Sequence, residues 1–307
     1  MTPLTSATPA SDLARPDTPT IRAALPMAAL LAVVVLWGIG PPMSKYVTAP
    51  SLTIVFVRLW MAVPVMFALQ AFAGSRPSVE QLRRTALGGV MFGLNMVAFF
   101  ASLKEASIAT LTVIGALQPG FVMFGASRLF GERLTRWGVS FTAVGIVGAA
   151  IAVLGAGAGV RSTPIGVFWS ALSMVAMCVY FLAGKRARSD TKLSATDYIA
   201  GVMLWAAIAV TPFSLLLGGL GRLDAIGRAD VMWMTLVLIG PGVAGHLLLS
   251  WALRYVPVSM SSTAMLGSTV ISIAVAWPMH AQPVTAVQAL GGAIALGAVA
   301  AVTLRRA

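Results

Sequence analysis

The chain has 307 residues, 58% of them apolar and 10% charged, with a mean hydropathy of +0.90. Soluble domains carry charge on about a quarter of their residues, so a water-exposed globule and a disordered chain are both excluded. The net charge of +12 comes from scattered basic residues, a pattern that records orientation across a bilayer rather than a nucleic-acid partner.

Residues 1–22 are rich in Thr, Ser, Ala and Pro and read as a flexible cytoplasmic tail. The first apolar run comes too late and is too long for a secretory signal. Stretches of about 20 apolar residues, enough to cross a bilayer as a helix, then recur near 23–43, 52–73, 85–103, 107–129, 137–155, 165–184, 197–218, 231–252, 258–279 and 285–303. The predicted fold is an all-α membrane protein with ten transmembrane helices. Lys104-Glu105 and Arg254-Tyr255 interrupt two overlong apolar stretches, which predicts tight hairpins between spans 3 and 4 and between spans 8 and 9.

Alternate connections differ in charge. The tail, the 2/3, 4/5, 6/7 and 8/9 connections and the C-terminal segment together hold fifteen Lys and Arg. The opposite connections hold five (Lys45, Lys104, Arg161, Arg222 and Arg228), and Arg58 lies inside span 2. This bias predicts that both termini are cytoplasmic.

At an offset of 150 residues, Leu103-Lys104 falls over Leu253-Arg254, and Glu132-Arg133-Leu134-Thr135 over Gln282-Pro283-Val284-Thr285. Two halves follow, 23–157 and 158–307, each with five spans. Because five is odd, the second half enters the membrane upside down relative to the first. Such inverted repeats offer two mirror-related conformations, one open to each side, which is the basis of alternating access. The arrangement argues for a carrier over an enzyme or a receptor.

Trp37-Gly38 in span 1, the run Ala101-Ser102-Leu103-Lys104-Glu105-Ala106-Ser107 before span 4 and Gly131-Glu132-Arg133-Leu134-Thr135 after it resemble motifs of the EamA-type drug/metabolite transporters. The second half looks like a degenerate partner, with Trp251-Ala252-Leu253-Arg254-Tyr255-Val256-Pro257 and with Gln282 where the family commonly has Glu. The likeness covers roughly residues 23–303, and its overall look is similar to the YddG-type amino-acid exporters. The resemblance implies a multi-pass protein of a bacterial-type inner membrane, with spans 1, 3, 4, 6, 8 and 9 around a central cavity and export from the cytoplasm. Gln282 departs from the family acid, which weakens charge chemistry at that pair of positions.

Polar side chains are costly in hydrocarbon and mark protein interior or a water-filled cavity. Span 3 offers Asn95, with Phe92, Phe99 and Ser102 on the same helical face. Span 8 offers His246, with Gly242 and Ser250 one turn to either side. The offset brings Asn95 over Gly245, so both polar faces suit one substrate cavity; hydrogen bonding between neighbouring helices is the alternative. Gln118-Pro119 in span 4 and its offset partners Ser268-Thr269 in span 9 suit a substrate-binding break with a freed carbonyl, or a simple packing kink. Gly38-Ile39-Gly40-Pro41-Pro42 cannot remain regular helix and reads as a helix stop or a gate hinge. Gly38, Pro41 and Pro119 are thus the gating candidates. Trp37, Trp169 and Tyr180 bring aromatic surface to candidate cavity walls, with lipid or helix packing as the alternative.

Arg58, six residues into span 2, is expected to snorkel to the outer interface, with a substrate-carboxylate role as the alternative. No acid falls at the centre of any span, which favours facilitated transport or exchange over proton antiport. His246 and His280 lack spaced partners for zinc, and Cys178 is the one cysteine, so no metal, cofactor or enzyme chemistry is implied. The expected partners are a small-molecule substrate, most simply an aromatic or apolar amino acid, and lipid. Monomer and homodimer both remain open. A multidrug or cationic-compound exporter is the alternative, as is a passive pore or a structural membrane subunit.

Overall fold

The structure, a computed structural model, describes residues 18–106, 113–155, 163–189, 193–217, 220–281 and 284–304. Among these residues every regular element is helical. Among the described residues nine helical stretches are long and apolar enough to cross a membrane: Ala24–Ser44, Leu52–Phe72, Val79–Ser102, Val113–Phe130, Arg136–Leu154, Pro164–Ser189, Ala195–Leu216, Arg228–Ala252 and Val258–His280. A final helix, Ala286–Leu304, supplies a shorter apolar segment, Ala286–Val302. These are spans 1–10. Residues 1–17 of the expected tail, together with Ser107, Arg161 and Gln282, lie outside the described residues. The first helix begins at Thr18, so the expected tail boundary at 22 falls inside it.

Large apolar side chains point outward, as at Leu31, Phe121, Val147 and Leu290, while Ala149, Ala152, Ala295 and Ala298 are buried between spans. In lipid, helices associate through close packing of small residues rather than by hiding apolar surface from water. Spans 5 and 10 show this directly. A Cβ added at Gly148 would lie 2.6 Å from the Ala295 amide nitrogen and 2.9 Å from the Gly291 carbonyl oxygen.

The helix pairs follow a two-fold pattern. Spans 2 and 7, 4 and 9, and 5 and 10 pack against each other, and the 3–6 contact is mirrored by 1–8, as 4–6 is by 1–9. Exchanging each span with the one five places on leaves this list unchanged, as two inverted five-helix repeats require. The symmetry is broken most strongly at one pair. Spans 3 and 7 pack closely, with room only for glycine at Gly89 and Gly93, whereas the mirror pair, spans 2 and 8, touches sparsely.

Side-chain bonds divide the connections into two faces. On one, the Glu132 carboxylate accepts from Val258 N (2.9 Å), Ser259 N (3.3 Å) and Ser259 Oγ (2.5 Å). Lys185 donates there to the Leu253 and Val256 carbonyls at 2.9 and 2.8 Å, and Arg188 donates to Ser250 O and Leu193 O. Gln81 joins Gln70 and the Asp197 carbonyl. On the other face, Asp230 accepts from Thr48 N at 2.6 Å, Tyr46 donates to Met279 O at 2.7 Å and stacks on Trp233, and His280 Nε2 donates to Pro42 O at 2.9 Å.

Two local expectations change. Span 3 starts at Val79, six residues early, because the Ser78 hydroxyl accepts from Gln81 N and the Gln81 side chain accepts from Ser78 N, a reciprocal cap that starts the helix ahead of the apolar run. The Gly38–Pro42 run does not stop span 1, whose helix continues through Pro41 and Pro42 to Ser44. Proline's fixed φ suits a helix, and the Pro42 and Tyr46 bonds to His280 and Met279 hold the end of the span against span 9.

Candidate functional site

Where spans 2 and 8 fail to close, a cavity opens. Its walls are Val55, Arg58, Leu59 and Ala62 from span 2 and Leu238, Gly242 and His246 from span 8, with Phe92 and Met96 from span 3 and Met203 from span 7 behind them. The space amounts to about 380 Å³ when counted through its open mouth into the solvent outside. The lining is almost entirely apolar. Arg58 and His246 are the two polar exceptions.

Span 8 is irregular at this point. Its α-helical start, Arg228–Val237, gives way to a π-helical stretch, Leu238–Ala244, before regular helix resumes at Gly245. Pro241 lies within the stretch and lacks the N–H that a regular turn needs. Its carbonyl accepts from Trp37 Nε1 at 3.1 Å, which ties span 1 to the irregular segment. Such π-bulges collect at functional sites because the widened turn re-aims side chains. Here the stretch contributes Leu238 and Gly242 to the cavity and precedes His246.

His246 is buried in an aromatic cage. Tyr180 Oη lies 2.8 Å from its Nδ1, the Trp37 ring is 4.9 Å away between centroids, and the Phe92 ring is 4.7 Å away edge-on. The Tyr180 bond fixes the ring's orientation. With Nδ1 occupied, Nε2 is the nitrogen left for a solute.

The other sequence candidates fall in different places, because spans 2 and 7, and not the expected spans 1, 4, 6 and 9, join spans 3 and 8 around this cavity. Asn95 is buried and directs Nδ2 at Ser173 O and Ser173 Oγ, both at 2.9 Å, joining spans 3 and 6. Ser102 and Ser170 make a second link between the same spans at 2.7 Å. Phe99 packs on Phe100, and Trp169 on Phe168. Ser250 is buried with its hydroxyl unpartnered, while its carbonyl receives Arg188. Ser268 Oγ donates to Met265 O at 2.6 Å.

Gln118 and Pro119 stand at a break in span 4, whose helix resumes at Gln118 after Leu117. Gln118 Nε2 is buried without a partner. Span 9 breaks at Met265. The two break residues have nearly the same backbone angles, φ −75°, ψ −17° at Leu117 and φ −64°, ψ −17° at Met265. Both repeats therefore interrupt their fourth helix, one ahead of a proline and the other without one. Gly38 marks a close crossing of spans 1 and 9, since a Cβ there would meet the Ile271 side chain at 2.6 Å. Pro41 is exposed and Pro119 buried.

Sequence reasoning placed Arg58 at the interface; the structure puts it in the cavity wall. Its location inside an apolar span was the signal. The π-stretch was also missed, although Gly240-Pro241-Gly242 within a span announced an irregular backbone. Met96, Met203 and Leu238 carried no signal.

The sequence profile of the EamA-like transporter family matches this chain twice, over residues 24–154 and 164–304. The chain belongs to that family. Each match covers five spans, so the family unit and the structural repeat coincide. An uncharacterized transporter from Archaeoglobus fulgidus is 23% identical over 275 residues, covering 89% of this chain and 94% of that protein. A protein of known crystal structure superposes with a TM-score of 0.76 at 18% identity, covering 92% of this chain and 99% of that one. At that identity the likeness shows the fold alone. As an EamA-like protein the chain is a multi-pass membrane transporter of small compounds and not an enzyme.

Proposed function

We propose that this EamA-like transporter exports small amphipathic metabolites, most simply amino acids with aromatic or apolar side chains, from the cytoplasm across the inner membrane by facilitated transport or exchange. The observation that carries this reading is the cavity between spans 2, 3, 7 and 8, a small apolar chamber with one fixed cation and one caged histidine. Phe92, Met96, Met203 and Leu238 offer an apolar side chain a surface to bury against, and methionines adapt to several shapes. The lining has no acid, which disfavours cationic solutes. Proton antiport generally uses an embedded carboxylate, and among the described residues the cavity lining holds none.

The inverted repeat supports the mechanism. Spans 3 and 7 are closed and spans 2 and 8 are open; exchanging the two arrangements closes the cavity on one side and opens it on the other, at similar energy. The test is uptake into proteoliposomes holding the purified full chain, screened with labelled amino acids with and without a pH gradient. Uptake of aromatic or aliphatic amino acids that persists without the gradient is expected. Failure with every amino acid would refute the substrate class, and strict dependence on the gradient would refute the energetics.

A further inference from the structure

Arg58 begins about 10 Å below the start of span 2, seven residues at 1.5 Å each. Its guanidinium does not turn back to the interface. It reaches across the cavity to span 8, where a Cβ placed on Gly242 would lie 3.9 Å from Nη2. Glycine at 242 leaves that space open. Among the described residues no acid or hydrogen-bond acceptor pairs with the guanidinium, although it offers five N–H donors in a planar fork. A cation held in an apolar wall without a counter-charge is costly. The cost is offset whenever an anion enters the cavity.

We propose that Arg58 is the anchor for the carboxylate of an apolar-tailed monocarboxylate substrate, with His246 Nε2 and the Trp37–Tyr180 cage beside it. One unit of fixed positive charge matches a singly charged carboxylate, and the guanidinium fork matches its two oxygens. A phosphate dianion would call for a second cation, and the cavity lining has none. The tail then lies along Phe92, Met96, Met203 and Leu238. The inference deepens the amino-acid reading, and rests on it only for the ammonium group.

The test uses four probes of nearly one size on the full-length protein in nanodiscs: phenylalanine, its carboxamide, phenethylamine and 3-phenylpropanoate. Binding is read by quenching of tryptophan fluorescence and by the shift in thermal unfolding. Phenylalanine and 3-phenylpropanoate are expected to bind wild type at least tenfold more tightly than the amide and the amine. Arg58→Gln should lose that preference, and Arg58→Lys should keep part of it.

Equal binding of acid and amide by wild type would overturn the proposal, as would unchanged acid binding by a folded Arg58→Gln protein. The wild-type comparison decides the matter even if Arg58→Gln does not fold. Binding of 3-phenylpropanoate but not phenylalanine would leave the Arg58 anchor standing and refute the amino-acid reading. Binding of none of the four would refute both.

Discussion

Replacing Glu132 with alanine removes the one carboxylate that joins the end of span 4 to the start of span 9. Three donors converge on it, Val258 N, Ser259 N and Ser259 Oγ, and Pro257, the residue before the helix, provides no side-chain cap of its own. A hydrogen bond to a charged acceptor contributes about 1.5–3 kcal/mol. Water can reach this loop and replace part of each bond, which brings the expected loss nearer the ~0.5–2 kcal/mol of a missing helix cap plus up to ~1 kcal/mol of helix-dipole interaction. A net loss of about 2 kcal/mol would lower the unfolding midpoint by roughly 4–8 °C. Cys178 is a convenient reporter, because it is the one cysteine and is buried until the bundle opens. Labelling with a thiol-reactive fluorophore during a temperature ramp gives the midpoint. Glu132→Gln, which keeps an acceptor but not the charge, should fall between wild type and Glu132→Ala, and Ser259→Ala should be less than additive with Glu132→Ala. A midpoint for Glu132→Ala within 1 °C of wild type, or full additivity with Ser259→Ala, would refute the reasoning.

Tyr180→Phe leaves His246 Nδ1 buried without its 2.8 Å partner, at a cost of about 1–3 kcal/mol; it should weaken substrate binding, read by equilibrium titration, while unchanged affinity would remove the cage from the site. Gly148→Ala places a methyl 2.6 Å from backbone of span 10 and should destabilise the protein by about 1–3 kcal/mol. Gly297→Ala, with nothing within 4 Å, should instead stabilise its helix by up to ~1 kcal/mol; the same thiol-labelling ramp should show the two midpoints moving in opposite directions. Gly89→Leu would set a side chain against the Val202 carbonyl, 2.7 Å from the new Cβ. It should disfavour the closed 3–7 pair and raise the accessibility to aqueous thiol reagents of cysteines introduced along that seam.

The bilayer made the fold legible. Crossing it demands about 20 apolar residues, so spans such as 258–279 are found in the structure with ends displaced by a residue or two, as Val258–His280. What the apolar count misses is helix that begins before the hydrocarbon does: Arg83 and Arg84 read as loop, yet the Ser78–Gln81 cap carries the helix through them. Pro41 and Pro42 read as a stop because local preference disfavours them, and contacts with span 9 override that preference.

The site was legible in part. His246, Tyr180 and Trp37 come together because polar and aromatic groups in hydrocarbon seek one another. Asn95 obeys the same rule but meets Ser173. Helical spacing gives the face a residue lies on and not the partner that waits there. Arg58 was misplaced for a related reason: its depth allows either the interface or the interior, and only the gap between spans 2 and 8 decides between them.

The claim that a single cavity is offered to each side in turn is tested most directly by counterflow. Proteoliposomes are loaded with unlabelled phenylalanine, and entry of the labelled compound is followed against empty vesicles. A carrier that returns faster when loaded predicts accelerated entry with a transient overshoot above equilibrium. Entry at the same rate with or without internal substrate, with no overshoot, is the behaviour of a pore and would contradict the account.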